Sequence, residues 1–209
     1  MFKVETLAVG PLQANCHILY DQQTGEAMVI DPGDEGPRIV DHVNKMGLKP
    51  LMILNTHGHV DHIGANGWLK EHWGIPLAIH QGEAELLCNA TANMSSYLGV
   101  EITSPPADIL FKDGDAFPIG SDQLCVLDVS GHSPAGSAFH IQKLVFTGDA
   151  LFKQGVGRTD FPGGSHEKLI RNIRKNLLSL SDDTVVCPGH GPKTTIGDEK
   201  YNNPYLLVT

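Results

Sequence analysis

The chain runs to 209 residues, of which 41% are hydrophobic and 19% charged, so it can bury a core and is not disordered by composition. Its 24 Asp and Glu outnumber its 15 Lys and Arg, for a net charge of −9, which disfavours a general nucleic-acid binder. No uncharged apolar stretch reaches the roughly 18 residues that span a bilayer.

In chain order, Val4–Val9, Cys16–Tyr20 and Glu26–Ile30 read as strands, punctuated by Gly10-Pro11 and Gly25. Asp31-Pro32-Gly33-Asp34 closes the third. Ile39, Val40, Val43 and Met46 recur at helical spacing, which predicts a helix over 38–46 stopped by Gly47. Leu51–Leu54 reads as a buried strand. A helix over 63–73, a strand over 76–79 and a helix over 83–88 follow. The stretch 89–106 has no clear period and reads as a long loop. Leu124–Val129, Ala138–Ile141 and Lys143–Thr147 are the next strands. Ser165 is placed to cap a helix reaching Leu180, with Leu169, Ile170, Ile173, Leu177 and Leu178 as its apolar face. Thr184–Cys187 is the last strand. Strand clusters closed by helices predict packed sheets with helices outside, in one domain over 1–209. Met1–Tyr20 lacks the apolar core of a signal peptide, and Cys16, Cys88, Cys125 and Cys187 form no CxxC pair. A reducing, cytoplasmic location is the expectation.

The strongest chemical signal is Thr56-His57-Gly58-His59-Val60-Asp61-His62, which starts where the strand Leu51–Leu54 ends. In an extended turn His57 and His59 can point the same way. Asp61 and His62 come as the chain turns into the next helix and can face a second position. Such density of imidazole and carboxylate is costly unless solvated or metal-bound. Gly131-His132-Ser133, Thr147-Gly148-Asp149 and Pro188-Gly189-His190-Gly191-Pro192 each place one more ligand type just past a strand, beside glycine. Ligand sites gather at the carboxyl ends of strands, so these ends favour one shared site.

The order HxHxDH, GHS, TGD, PGHGP is similar to that of the metallo-β-lactamase-fold hydrolases. Within them, Gly155–Phe161 (GVGRTDF) and the ending Asn203-Pro204-Tyr205-Leu206 resemble short bacterial proteins of the glyoxalase II (hydroxyacylglutathione hydrolase) type. The resemblance implies a mixed α/β (α+β) chain folded as a four-layer αββα sandwich with metals at one edge. It implies two divalent metal ions. His57, His59 and His132 would hold the first, and Asp61, His62 and His190 the second, with Asp149 bridging. The all-N/O set suits zinc, with iron or manganese as alternatives. Asp31 would either orient the motif loop from behind the ligands or simply close its strand in a turn. One departure is Ala135, inserted where the family reads HSPG without a break.

Two such ions bind a hydroxide that attacks a carbonyl, and a thioester is a fitting target because thiolate leaves without full protonation. The implied activity is hydrolysis of a small-molecule, glutathione-type thioester such as S-lactoylglutathione. Asp61 and Asp149 are then both ligands and catalytic groups. Arg158 stands where the family has a basic residue for the glycine carboxylate of glutathione; a surface ion pair is the other reading. Asp160 and Pro192 replace tyrosines expected nearby, and the family's C-terminal helical glutathione-binding domain is not expected. Neither a nucleic-acid nor a membrane partner is expected, and the chain would be a monomer or small homo-oligomer. GRTDF also resembles the mononuclear-iron persulfide dioxygenases, which leaves an oxidoreductase as the alternative, beside hydrolysis of another ester or amide. Trp68, Trp73 and Met94–Leu98 are candidates to line a cleft or to pack. His17, His42, His72, His80, His140 and His166 have no ligand-like context.

Overall fold

A computed structural model describes residues 1–207; Val208 and Thr209, the end of the expected 1–209 domain, lie outside the described residues. The first sheet takes β1 (Phe2–Val9), β2 (Ala14–Asp21), β3 (Glu26–Ile30), β4 (Lys49–Leu54), β5 (Leu77–His80) and β6 (Ile109–Phe111), side by side in sequence order. The second has the order β14-β13-β10-β9-β8-β7, from β7 (Ala116–Ile119), β8 (Asp122–Asp128), β9 (Ser137–Ile141), β10 (Leu144–Gly148), β13 (Val185–Pro188) and β14 (Thr194–Thr195). A separate two-stranded ribbon joins β11 (Leu151–Phe152) to β12 (Gly155–Val156).

The alternation of side chains along each strand explains the layering. On β2 and β3, Leu19, Met28 and Ile30 face the second sheet, where they meet Phe139, Phe146 and Cys187. Their neighbours Cys16, Ile18, Ala27 and Val29 face the other way, onto Ile39, Val40 and Val43 of α1 (Gly36–Lys45) and Leu69 of α3 (Asn66–Trp73). The second sheet repeats this, turning Ala138, Val145 and Val186 onto Leu169 of α5 (His166–Asn172) and onto Ile173 and Leu177 just beyond it. Three separate apolar interfaces between four layers make an αββα sandwich, as expected.

Two predicted helices need correction, and the structure adds elements that the sequence periodicity does not mark. The helix over 63–73 is two helices, α2 (Val60–Ile63) and α3, separated by Gly64-Ala65. A Cβ at Gly64 would run into the Gly33 carbonyl, so this corner presses on the β3 turn. The helix to Leu180 is α5 followed by a π turn over Ile173–Leu177. Strands β6 and β7 were not legible: each is short, and Pro118 tolerates its strand only because β7 is a sheet edge. The ribbon β11–β12, strand β14 and the helices α6 (Ile196–Asn202) and α7 (Pro204–Leu207) carry no sequence period long enough to predict them either. Between β5 and the 89–106 loop lies α4 (Ala84–Cys88), and the loop itself holds only a 3₁₀ turn over Ser95–Leu98. Among the described residues no helix is long and apolar enough to cross a membrane.

Strands β3, β4, β5 and β6 are mutually parallel, and so are β10 and β13. Strand β8 runs with β10, because both are antiparallel to β9. The carboxyl ends of β3, β4 and β5, and of β8, β10 and β13, therefore each reach one rim, and the loops that follow carry the motifs.

Candidate metal centre

The loops bring all seven sequence-predicted ligands together. The His57 ring centroid lies 4.7 Å from His59, 4.3 Å from His62 and 5.1 Å from His132. His59 Nδ1 is 3.0 Å from His132 Nε2. On the other side His190 Nε2 is 3.1 Å from Asp61 Oδ2, and His62 Nε2 is 3.6 Å from the same oxygen. Asp149 sits between the groups, with His62 Nε2 at 3.4 Å, His190 Nε2 at 3.6 Å and His132 Nε2 at 3.7 Å. Donor atoms of His57, His59 and His132, and those of Asp61, His62 and His190, form two sets, each within 4.8 Å internally, and a third set, Asp31, His57 and His62, overlaps both.

The donor set fits a metal on its own chemistry. His57 Nε2, His62 Nε2 and Asp149 Oδ1 are buried without a hydrogen-bond partner. Such atoms are costly unless something binds them. The opposite nitrogens are tied down. Thr56 donates its N–H (2.7 Å) and its hydroxyl (2.6 Å) to Asp31, which leaves the Thr56 oxygen to accept from His57 Nδ1 at 3.0 Å. His62 Nδ1 donates to Asp31 at 3.2 Å, and His132 Nδ1 to the Arg158 carbonyl at 2.7 Å. These bonds place the Nε2 lone pairs of His57, His62 and His132 inward. Asp31 is thus an orienting residue and not merely a turn, and it holds this place at a φ of 52°.

Electrostatics divides the cluster. Burial, then repulsion from His62 and the neighbouring rings, holds His57 well below the ordinary imidazole pKa, and burial with His132 pushes His59 down to about 3. Burial also lowers His132. Burial opposes charge on His62 and His190 too, yet the adjacent carboxylates Asp61 and Asp149 raise both. The same attraction overcomes burial to keep Asp61 and Asp149 ionised. His57, His59 and His132 are thus held neutral and Asp61 and Asp149 ionised, the states that ligate cations, whereas His62 and His190 would give up a proton to a bound cation.

Glycines let the loops close. A Cβ on Gly189 would meet Asp149 Oδ1 and come within 2.9 Å of His62 Cε1. Gly148 turns at a φ of 48° with Thr56 packed against it.

Several positioning residues were not singled out by sequence. Glu83, fully buried, accepts the N–H of Gly58 at 3.0 Å and that of Ala135 at 2.7 Å, so it joins the loop of His57 and His59 to that of His132. Ala135, the departure from the family pattern, thereby supplies a bond. Asn15 donates to the Pro188 and Gly191 carbonyls, both at 2.9 Å, and His17 Nε2 reaches the Pro188 carbonyl at 3.0 Å. Strand β2 thus holds the loop of His190. Asn55 donates to the His62 carbonyl at 3.0 Å. None of these residues repeats a spacing, so only the long-range contacts reveal them.

Beside the ligands opens a cleft of about 370 Å³, lined by His59, Asp61, His132, Asp149, Arg158 and Phe161 together with the apolar residues Leu12, Val60, Met94, Tyr97 and Leu98. Of the two readings open for Met94–Leu98, the structure places Met94, Tyr97 and Leu98 along this cleft. Trp68 instead stacks on His72 with centroids 5.0 Å apart, and Trp73 packs against the helix layer of the first sheet. Arg158 lies 4.1 Å over the Phe161 ring and makes two 2.7 Å bonds to Asp160. Arg158 thus makes the ion pair that was one of its two expected roles, and the residue also borders the cleft.

The metallo-β-lactamase superfamily profile matches residues 9–190. The chain is 41% identical over 207 residues to the probable metallo-hydrolase YqgX of Bacillus subtilis (strain 168), covering 98% of this chain and 97% of that one. It is 36% identical over 211 residues to hydroxyacylglutathione hydrolase GloC of Haemophilus influenzae, covering 97% of each. Its fold superposes on the crystal structure of the BLEG-1 B3 metallo-β-lactamase with a TM-score of 0.94, at 39% identity over the whole of both chains. A di-iron-bound form of TTHA1623 superposes at 0.85 and 36% identity, covering 97% of this chain and 100% of that one. With sandwich, rim and ligand cluster all agreeing, the chain belongs to the metallo-β-lactamase superfamily and carries a His/Asp cluster for a metal site.

Proposed function

We propose that this protein is a dinuclear metal-dependent hydrolase of glutathione-type thioesters, with S-lactoylglutathione as the reference substrate. The observation that carries the reading is the pair of ligand sets meeting at Asp149. His57, His59 and His132 would hold one ion, Asp61, His62 and His190 the other, and Asp149 both. Nitrogen and carboxylate donors suit zinc, and the di-iron form of a relative keeps iron open. When bound, the ions supply Lewis acidity and lower the pKa of a water.

The chain's own groups do the remaining work. Asp61 is held by His190 and borders the cleft, where it can orient a water toward a carbonyl carbon. The phenyl ring of Phe161, edge-on to His59 with centroids 5.4 Å apart, shields that side from solvent. Arg158 faces the cleft with a guanidinium suited to a carboxylate on the thiol half. A thiolate leaves without a dedicated proton donor, so a site built from carboxylates and imidazoles suffices. Similarity to GloC, a hydroxyacylglutathione hydrolase, supports the same substrate class.

The test is metal content and S-lactoylglutathione hydrolysis in one preparation. About two ions per chain with thiol release are expected. One iron per chain, no thiol release and oxygen uptake on glutathione persulfide would replace the reading with an oxidoreductase. The GRTDF run resembles that class, but His190 set 3.1 Å from Asp61 completes the second ligand set and favours hydrolysis. A cytoplasmic location and a monomer or small homo-oligomer complete the proposal.

A further inference from the structure

Next to the cleft at the ligands lies a second lobe of about 350 Å³, within the range of small-molecule sites, roughly 300–1,000 Å³. The two lobes share Leu12, Val60, Asp61 and Leu98, so the second adjoins the first and reaches the ligand cluster at Asp61. Their chemistry differs sharply. Arg158, His132 and Phe161 line only the first. Val9, Val100 and Ile102 line only the second, whose charged lining among the described residues is Asp34 and Asp61, with no cation.

The walls are preformed. The Val60 N–H donates to the Asn93 carbonyl at 2.9 Å, which fixes the 89–106 loop beside Asp61. Asn93 Nδ2 donates to the Ile102 carbonyl at 2.8 Å, and Ser95 Oγ accepts the Ile102 N–H at 3.2 Å, which closes the loop on itself. Leu12, Leu98, Val100 and Ile102 remain exposed although apolar, and all four border this one lobe. An apolar wall held by backbone bonds and left open to water is a binding surface in need of an apolar occupant.

We propose that this lobe is an acyl subsite that takes the uncharged, apolar acyl chain of a thioester longer than lactoyl. The proposal rests on the thioester reading above. A scissile bond at the ligand cluster sends its two halves into different lobes. An anionic thiol half is repelled by Asp34 and Asp61, the charges of the second lobe, so the uncharged acyl half occupies the apolar lobe. The structure thereby assigns substrate preference to Leu98, Val100 and Ile102.

Kinetics on S-lactoylglutathione and S-hexanoylglutathione test it, with calorimetric binding of two uncleavable thioethers, S-methylglutathione and S-hexylglutathione. The hexanoyl thioester should show about tenfold higher kcat/KM, and the hexyl thioether should bind correspondingly tighter. Ile102→Asp should reduce both advantages to about twofold or less, each read as the ratio of the longer to the shorter compound in the same variant. The Ile102 side chain is 38% exposed and the loop is clasped through its backbone, so the variant should fold; Val100→Asp is the second probe. Equal kinetics for the two thioesters, or a preference that survives both variants, overturns the subsite but not the hydrolase. Tighter hexyl binding without hydrolysis of either thioester keeps an apolar site but overturns thioester cleavage. A dimer that Ile102→Asp dissociates assigns the surface to a second copy and overturns the proposal.

Discussion

Glu83 accepts the backbone N–H of Gly58 at 3.0 Å, midway between two ligand histidines, and its other oxygen takes the N–H of Ala135. One buried carboxylate thus clamps loops from two different sheets. Glu83→Ala leaves both N–H groups unsatisfied and should lower metal affinity roughly 10–100-fold. It should also cost about 1–3 kcal/mol of stability. Glu83→Gln keeps one acceptor and should fall between. Chelator competition and thermal melts measure both, and unchanged affinity in Glu83→Ala would show the clamp to be irrelevant to the site.

Asp149→Ala removes the group shared by both ligand sets, and His59→Ala removes one donor of the first. Each should lose turnover and metal stoichiometry while the circular dichroism spectrum persists, because neither side chain supports the apolar interfaces. Full activity of Asp149→Ala would refute the shared-carboxylate site.

Gly189→Ala tests the closeness of the loops. Its Cβ would push on Asp149 and lie within 2.9 Å of His62 Cε1. The variant should bind less metal than wild type at equal concentration, read by elemental analysis after dialysis. Wild-type stoichiometry would mean that the rim can relax.

Arg158 is engaged by Asp160 through two 2.7 Å bonds. If the guanidinium recognises substrate, Arg158→Ala raises KM for glutathione thioesters more than it lowers kcat. Asp160→Asn frees the guanidinium and should lower KM a few-fold. Steady-state kinetics decide, and an unchanged KM in Arg158→Ala assigns the residue to the surface.

His17 is buried against Phe146, and burial pushes its pKa down to about 4. Folded, it binds fewer protons than the unfolded chain between pH 4 and the ordinary imidazole value. Stability therefore falls as pH drops through that window, by up to about 3 kcal/mol from this group. His17→Gln should flatten that part of the stability profile relative to wild type, read by denaturant unfolding from pH 7 to pH 4. Parallel profiles would assign the acid lability elsewhere.

The ligands were legible because each is written locally. A strand end, a glycine and a histidine or aspartate sit within a few residues, and each strand delivers its succeeding loop to a fixed rim. The short apolar runs of β2, β3 and β10 likewise mark strands in the sequence. The four-layer order came from resemblance, and the three separate apolar interfaces then explained it.

Only the tertiary structure decided what holds the ligands. Glu83 meets loops 25 and 52 residues away, and Asn15 meets Pro188 across 173 residues. Such bonds join backbone groups of remote segments, and backbone groups are the same at every position, so no residue pattern records them. The apolar lobe is of the same kind. Val9, Leu12, Val60 and Ile102 carry no shared period, and they face one another only because the β1–β2 turn, α2 and the 89–106 loop converge at the rim. The short strands escaped for a simpler reason: two to four residues are too few to display a period, and pairing with neighbours alone makes them strands.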